Sequence, residues 1–183
     1  SLLVAGGLHQ LAERLAEPLR NRIRLSEPVQ RIRQDSREVV VVGATGAYRA
    51  RRLIVAVPPA LARRITWDPG PPAGWSAMTE RMPMGSVIKV WVAYATPFWR
   101  DRGLNGAVFS AAHGFRLAFD VTPPGTRLGI LAGFFDVDEA ALWARRRAGE
   151  RRAEVIRCLS DALGPEARSP VDLVETDWSQ EAW

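Results

Sequence analysis

Lys89 is the single lysine among 25 basic residues; every other one is arginine. It lies inside the apolar run Val87-Ile88-Lys89-Val90-Trp91-Val92. A lysine is a compact point charge whose ionisation responds strongly to burial, unlike the delocalised guanidinium. Turned toward a core, it needs acceptors, a cavity water or a shifted pKa. Two readings stay open from the residues alone. Either Lys89 faces a functional cavity, or it sits on an edge strand and snorkels to water.

Aromatic residues accompany it. Phe109, Phe115, Phe119, Phe134 and Phe135 fall on later β-like segments, and alternation gathers Phe115, Leu117 and Phe119 on one face. Such a face is ordinary core by itself; beside a lone lysine it can also be the wall of an apolar ligand pocket. The conventional catalytic apparatus is absent: no nucleophile elbow, no phosphate-cradling glycine loop, no metal-ligand cluster. His9 and His113 have no orienting carboxylate nearby in sequence and read as structural or surface residues. Cys158 shares a helix side with Val155, Leu159 and Ala162 and reads as a small core residue.

These residues need elements to hold them. Leu8, Leu11, Leu15 and Leu19 predict a helix that Pro18 ends or distorts. Short strands are expected at Ile23 to Leu25, Val29 to Arg33, Val39 to Val42 and Leu53 to Val57, the last a buried strand stopped by Pro58-Pro59. Residues 66 to 75 are rich in proline and glycine and predict a crossing between domains. Ser86 to Tyr94 reads as a strand with Val87, Lys89, Trp91 and Ala93 on one face and Ile88, Val90 and Val92 on the other. Further strands are expected over 106–111, 115–121, 128–135 and 171–174, with helices over 137–146 and 149–163. The fold class is α+β, or a fragment of an α/β protein. Its expected divisions are 1–65, 66–175 and 176–183.

With 47% hydrophobic and 25% charged residues the chain can bury a core. No apolar stretch is long enough to span a membrane, and Ser1 to Ala5 lack the flank and length of a signal peptide. One cysteine excludes an internal disulfide and suggests the cytoplasm. The net charge of +5 admits a basic binding module for RNA or an acidic partner. The dense run Arg145 to Arg147 with Arg151 and Arg152 is interleaved with Glu150 and Glu154, however, which reads as a solvated helix face. No nucleic-acid or membrane partner is expected.

Several segments in order resemble the flavin-containing amine oxidases of the monoamine oxidase type. They are Gly6-Gly7 with the following helix, Ser26-Glu27-Pro28-Val29, Ile54-Val55-Ala56-Val57-Pro58-Pro59, Met82-Pro83-Met84-Gly85-Ser86-Val87-Ile88-Lys89, Pro97-Phe98-Trp99-Arg100, Gly133-Phe134 and Asp177-Trp178. The resemblance implies FAD as cofactor and a small-molecule amine as substrate. It divides the chain into a strand-rich part of the FAD-binding domain and a mixed-sheet substrate domain with flanking helices. By position it makes Lys89 the lysine that holds a water near the flavin N5. Val29 becomes a backbone contact at the adenine end, and Trp178 a tryptophan near the flavin ring. Phe109, Leu117, Phe119 and Phe134 fall on or beside positions that line the substrate cavity.

The dinucleotide fingerprint of that family, a glycine-rich strand-to-helix turn, does not occur in this sequence. The chain is therefore expected to be an internal stretch of a longer oxidase, inactive alone and unable to retain FAD by itself. In the whole enzyme the implied reaction is oxidative deamination: hydride passes from a neutral amine to the flavin, and oxygen reoxidises it. A related flavin amino-acid oxidase or desaturase is the alternative enzyme, with Arg116 as the one candidate for binding a substrate carboxylate.

Overall fold

Leucines at positions 8, 11, 15 and 19 recur at helical spacing, and the chain coils there: α1 spans His9–Ala16, continued by a 3-10 turn over Glu17–Arg22. Pro18 enters at the start of that turn, where its missing N–H costs nothing. The computed structural model describes Val4 and residues 6–181; apart from Val4, the segment read as lacking a signal peptide lies outside the described residues. The chain forms two compact units that divide between Met84 and Gly85.

The first unit carries a four-stranded sheet of β1 (Arg31–Gln34), β2 (Val39–Val42), β3 (Ala47–Ala50) and β4 (Thr66–Asp68), ordered β3-β2-β1-β4. The β1–β2 turn forms because the Asp35 carboxylate accepts the N–H groups of Arg37 and Glu38, at 2.7 and 2.9 Å. Those bonds hold its carboxyl below the ordinary range. Short helices α2 (Pro59–Ala62) and α3 (Trp75–Glu80) flank β4. Because β4 pairs in parallel with β1, the expected crossing at 66–75 stays inside this unit.

Two expected strands do not form. Ile23 to Leu25 follow the 3-10 turn with no ladder, and Leu25 is exposed. Leu53 to Val57 are unpaired, with Ile54 89% exposed. Their composition suits a buried strand, yet a strand needs a neighbour to satisfy its backbone groups. Among the described residues none pairs with this run.

The second unit contains β5 (Val87–Tyr94), α4 (Phe98–Asp101), β6 (Val108–Phe109), β7 (Leu117–Asp120), β8 (Gly129–Asp136), α5 (Val137–Ala144), α6 (Ala148–Leu163) and β9 (Asp172–Asp177). Its five strands form an antiparallel sheet in the order β6-β7-β8-β5-β9. The fold class is α+β, as expected. β9 runs through Asp177, so residues 176 and 177 still belong to this sheet.

Alternation along β5 divides the sheet. Ile88, Val90, Val92 and Tyr94 are buried, with Leu131, Phe135, Ala140, Val155, Cys158, Leu159 and Leu163 completing the core beneath α5 and α6. The motif Pro97-Phe98-Trp99-Arg100 is structural: Trp99 is fully buried and its Nε1 donates to Asp120 Oδ2 at 2.9 Å, joined by Arg100 Nε at 2.8 Å. On the same side Arg151 clamps β9 to the helices. Its guanidinium pairs with Glu175 and donates to the carbonyls of Trp143 and Arg146. The arginine run is thus only partly a solvated face, since Arg151 is mostly buried. Among the described residues no helix is long and apolar enough to cross a membrane.

Candidate functional site

Residues directly opposite each other in a ladder project from the same face of a sheet. The registers of the second unit therefore define a row that crosses all five strands. Phe109 pairs with Leu117, Leu117 with Phe134, Phe134 with Lys89, and Lys89 with Thr176. The next row toward the C-terminal end of β5 is Phe119, Ala132, Trp91 and Val174. All of these face away from the core under α5 and α6. Among the side chains projecting on this face in those two rows, one is charged: Lys89.

The rows are only half covered. Lys89, Trp91, Leu117 and Phe134 are half-buried, whereas Phe109 is 74% and Phe119 37% exposed. The Phe109 and Phe119 rings meet edge to face, 5.7 Å between centroids at 83°, a favoured aromatic geometry. Lys89 Nζ lies 4.5 Å from the Trp91 ring centre and 5.7 Å from that of Phe134. Such cation–π contacts contribute about 0.5–2 kcal/mol and draw the ammonium across the aromatic surface. Among the described residues Lys89 has no carboxylate within ion-pair distance.

The edge-strand reading of Lys89 does not hold, because β5 lies between β8 and β9. Phe115 is a correction of a different kind. Expected beside Leu117 and Phe119, it instead lies in the core, 1% exposed, against Phe135 at 5.4 Å. It precedes the first paired residue of β7, so strand alternation does not apply to it. Gly133 makes room: a Cβ there would meet Phe115 Cζ and the Leu117 carbonyl, each at 2.2 Å. Arg116 is also turned away from the aromatic face, its guanidinium held by Glu139 Oε1 of α5 at 2.6 Å.

Trp178 opens a 3-10 turn after β9 and is 55% exposed; the ladder below it ends with Asp177 beside Ile88, at the Lys89 end of β5. Val29 belongs to the first unit, half-exposed just ahead of β1, where Gln30 N donates to the Val42 carbonyl at 2.9 Å. Cys158 is buried as expected, with Val155 and Leu159, but Ala162 is exposed.

One cluster escaped the sequence reading. His113 Nε2 lies 3.0 Å from Asp161 Oδ2 and its Nδ1 3.4 Å from Glu154 Oε1. Glu154 is itself buried and accepts the Gly114 N–H at 2.7 Å. The carboxylates stand 41 and 48 positions away, a separation that no local spacing reveals. The one signal was a glutamate within the apolar side of α6.

The family model for flavin containing amine oxidoreductases matches residues 1–183. An L-amino acid dehydrogenase of Synechocystis sp. is 39% identical over 181 residues, covering 99% of this chain and 38% of that protein. A putrescine oxidase of Kocuria rosea is 35% identical, covering 98% of the chain and 40% of the relative. In solved structures, putrescine oxidase bound to putrescine matches with a TM-score of 0.92 at 35% identity, and cyclohexylamine oxidase from Brevibacterium oxydans with 0.91 at 31%. Each alignment covers 97% of this chain and 40% of that one. The chain thus spans about two fifths of the length of these relatives. With the family model matched along its whole length, the chain belongs to the flavin containing amine oxidoreductases.

Proposed function

We propose that this chain supplies the substrate-facing wall of an FAD-dependent amine oxidase that deaminates a small apolar amine. The observation that carries the reading is the row Phe109, Leu117, Phe134 and Lys89 across one sheet face, with a lone ammonium among aromatic side chains. The residues present fit a flavin: a cation without a carboxylate partner among the described residues, on a half-buried aromatic surface, suits a planar heteroaromatic ring with acceptor atoms. Lys89 and Trp178 would lie toward the ring. When bound, FAD would supply the acceptor for hydride from the amine carbon, with oxygen as the final oxidant.

The chain's own residues do the rest. Phe109, Phe119, Phe134 and Leu117 bind the apolar part of the substrate and exclude water. Exclusion of water disfavours the ammonium form, so the amine is held with its nitrogen lone pair free. The Lys89 Nζ has three donors and no acceptor, which suits it to hold an ordered water and to place positive charge where negative charge develops. The chain spans about two fifths of its relatives' length, and by this reading it neither retains FAD nor turns over an amine by itself.

A second reading, oxidation of amino acids, has the 39% identical L-amino acid dehydrogenase behind it. In the two rows of this face Lys89 alone, among the described residues, offers a cation for a carboxylate, and Arg116 is engaged by Glu139. A substrate panel on the full-length protein decides between them, with peroxide release followed for alkyl and arylalkyl amines beside amino acids. Turnover of the amines supports the first reading. Turnover of amino acids alone overturns it.

A further inference from the structure

Glu154 is 2% exposed on α6, among Val155, Cys158 and Phe115 of the core. A carboxylate taken out of water costs several kcal/mol unless it is paired and hydrogen-bonded, so an apolar residue would serve plain packing better. What Glu154 gains is a hold on one loop. Its Oε1 accepts the Gly114 N–H at 2.7 Å, the His113 ring approaches at 3.4 Å, and Arg157 pairs with its other oxygen. The same loop is tied down at each side. His113 Nε2 meets Asp161, and Arg116 meets Glu139. Gly114 rests on Trp143 so closely that a Cβ would stand 2.0 Å from the indole Nε1.

This loop joins Phe109 to Leu117, two neighbours in the aromatic row. Strand β6 has two residues and pairs with β7 alone. Its ladder is short: Val108 seats it in the core, and the loop behind it adds the remaining hold on Phe109.

We infer that Glu154 is a positioning residue: by gripping the Gly114 N–H from the opposite side of the sheet it sets where Phe109 stands, and so how large an amine the wall admits. The inference rests on the reading of this face as a substrate wall. Glu154 touches neither substrate nor cofactor. It acts through the loop of residues 110–116, and the property it controls is discrimination between bulky and small amines.

The test uses the full-length enzyme carrying Glu154→Leu, Glu154→Gln, Gly114→Ala or Phe109→Ala. Amide hydrogen exchange over residues 107–118 is followed together with steady-state kinetics on benzylamine and on a short alkyl amine. Glu154→Leu is expected to speed exchange in the loop and to change the ratio of KM values for the two amines by about tenfold, with kcat for the short amine nearly unchanged. Glu154→Gln, whose amide oxygen still accepts the Gly114 N–H, is expected to restore both. Gly114→Ala lifts the loop from Trp143 without touching Glu154 and is expected to repeat the Glu154→Leu effect; it takes over the test where Glu154→Leu does not fold. If the loop loosens and the KM ratio stays fixed while Phe109→Ala changes it, the positioning role is overturned. If Phe109→Ala leaves the ratio fixed as well, it is the substrate-wall reading that falls.

Discussion

Lys89 and Phe134 are direct partners in the β5–β8 ladder, and the ammonium lies 5.7 Å from the centre of the phenyl ring. Trp91, two residues along the same strand, brings its ring to 4.5 Å. The one lysine of the sequence is thus held over an aromatic surface by an inner strand, with the helices on the opposite face of the sheet.

Gly133 is a point of close packing in that sheet. Any side chain there would strike both the Phe115 ring and the Leu117 carbonyl. Gly133→Ala is expected to destabilise the protein by about 1–3 kcal/mol, the usual cost of overpacking. Urea unfolding measures it, and an unchanged midpoint would show that the core yields more readily than its packing implies.

The pair Arg151 and Glu175 joins α5 and α6 to β9 largely out of water, with side-chain exposures of 13% and 21%. Removing one partner leaves the other charge uncompensated, and the carbonyls of Trp143 and Arg146 lose their donor. Arg151→Leu is expected to cost about 2–4 kcal/mol, read from chemical denaturation. The double variant Arg151→Leu/Glu175→Leu is expected to be the more stable of the two; equal losses would mean that the charges do not compensate each other.

Stability is expected to fall in alkali. Burial pushes the Cys158 thiol from 9.0 up to about 11, with the nearby Asp161 carboxylate adding to the shift. Burial raises the Tyr94 phenol as well. Between about 9 and 11 the unfolded chain releases the thiol proton while the folded chain keeps it. The stabilising contribution is therefore complete below 9 and is lost as pH rises through that window. Unfolding midpoints taken from pH 8 to 10.5 should decline, and less steeply in Cys158→Ala. Parallel slopes for the two proteins would contradict the assignment to this thiol.

Much of this was legible in the sequence. The alternation of Val87 to Tyr94 gave the two faces of β5 correctly, and the spacing around Cys158 gave the buried side of α6 apart from Ala162. What failed depends on partners that are distant in sequence. Leu53 to Val57 has a strand's composition and no neighbour to pair with. Phe115 looked like a wall residue because alternation was extended past the end of the β7 ladder. Arg116 looked free until Glu139 of α5 came beside it. Glu154, His113 and Asp161 form their cluster only once α6 packs behind the loop of residues 110–116, and nothing in their separate surroundings announces it.

Lys89→Met in the full-length enzyme is the decisive measurement. The substitution keeps most of the side-chain volume and removes the charge and its three donors. Stopped-flow mixing of the reduced enzyme with oxygen should show reoxidation slowed on the order of tenfold or more, as for the loss of an electrostatic donor in an active site. A Lys89→Met enzyme that reoxidises as fast as the parent would contradict the placement of this ammonium against the flavin.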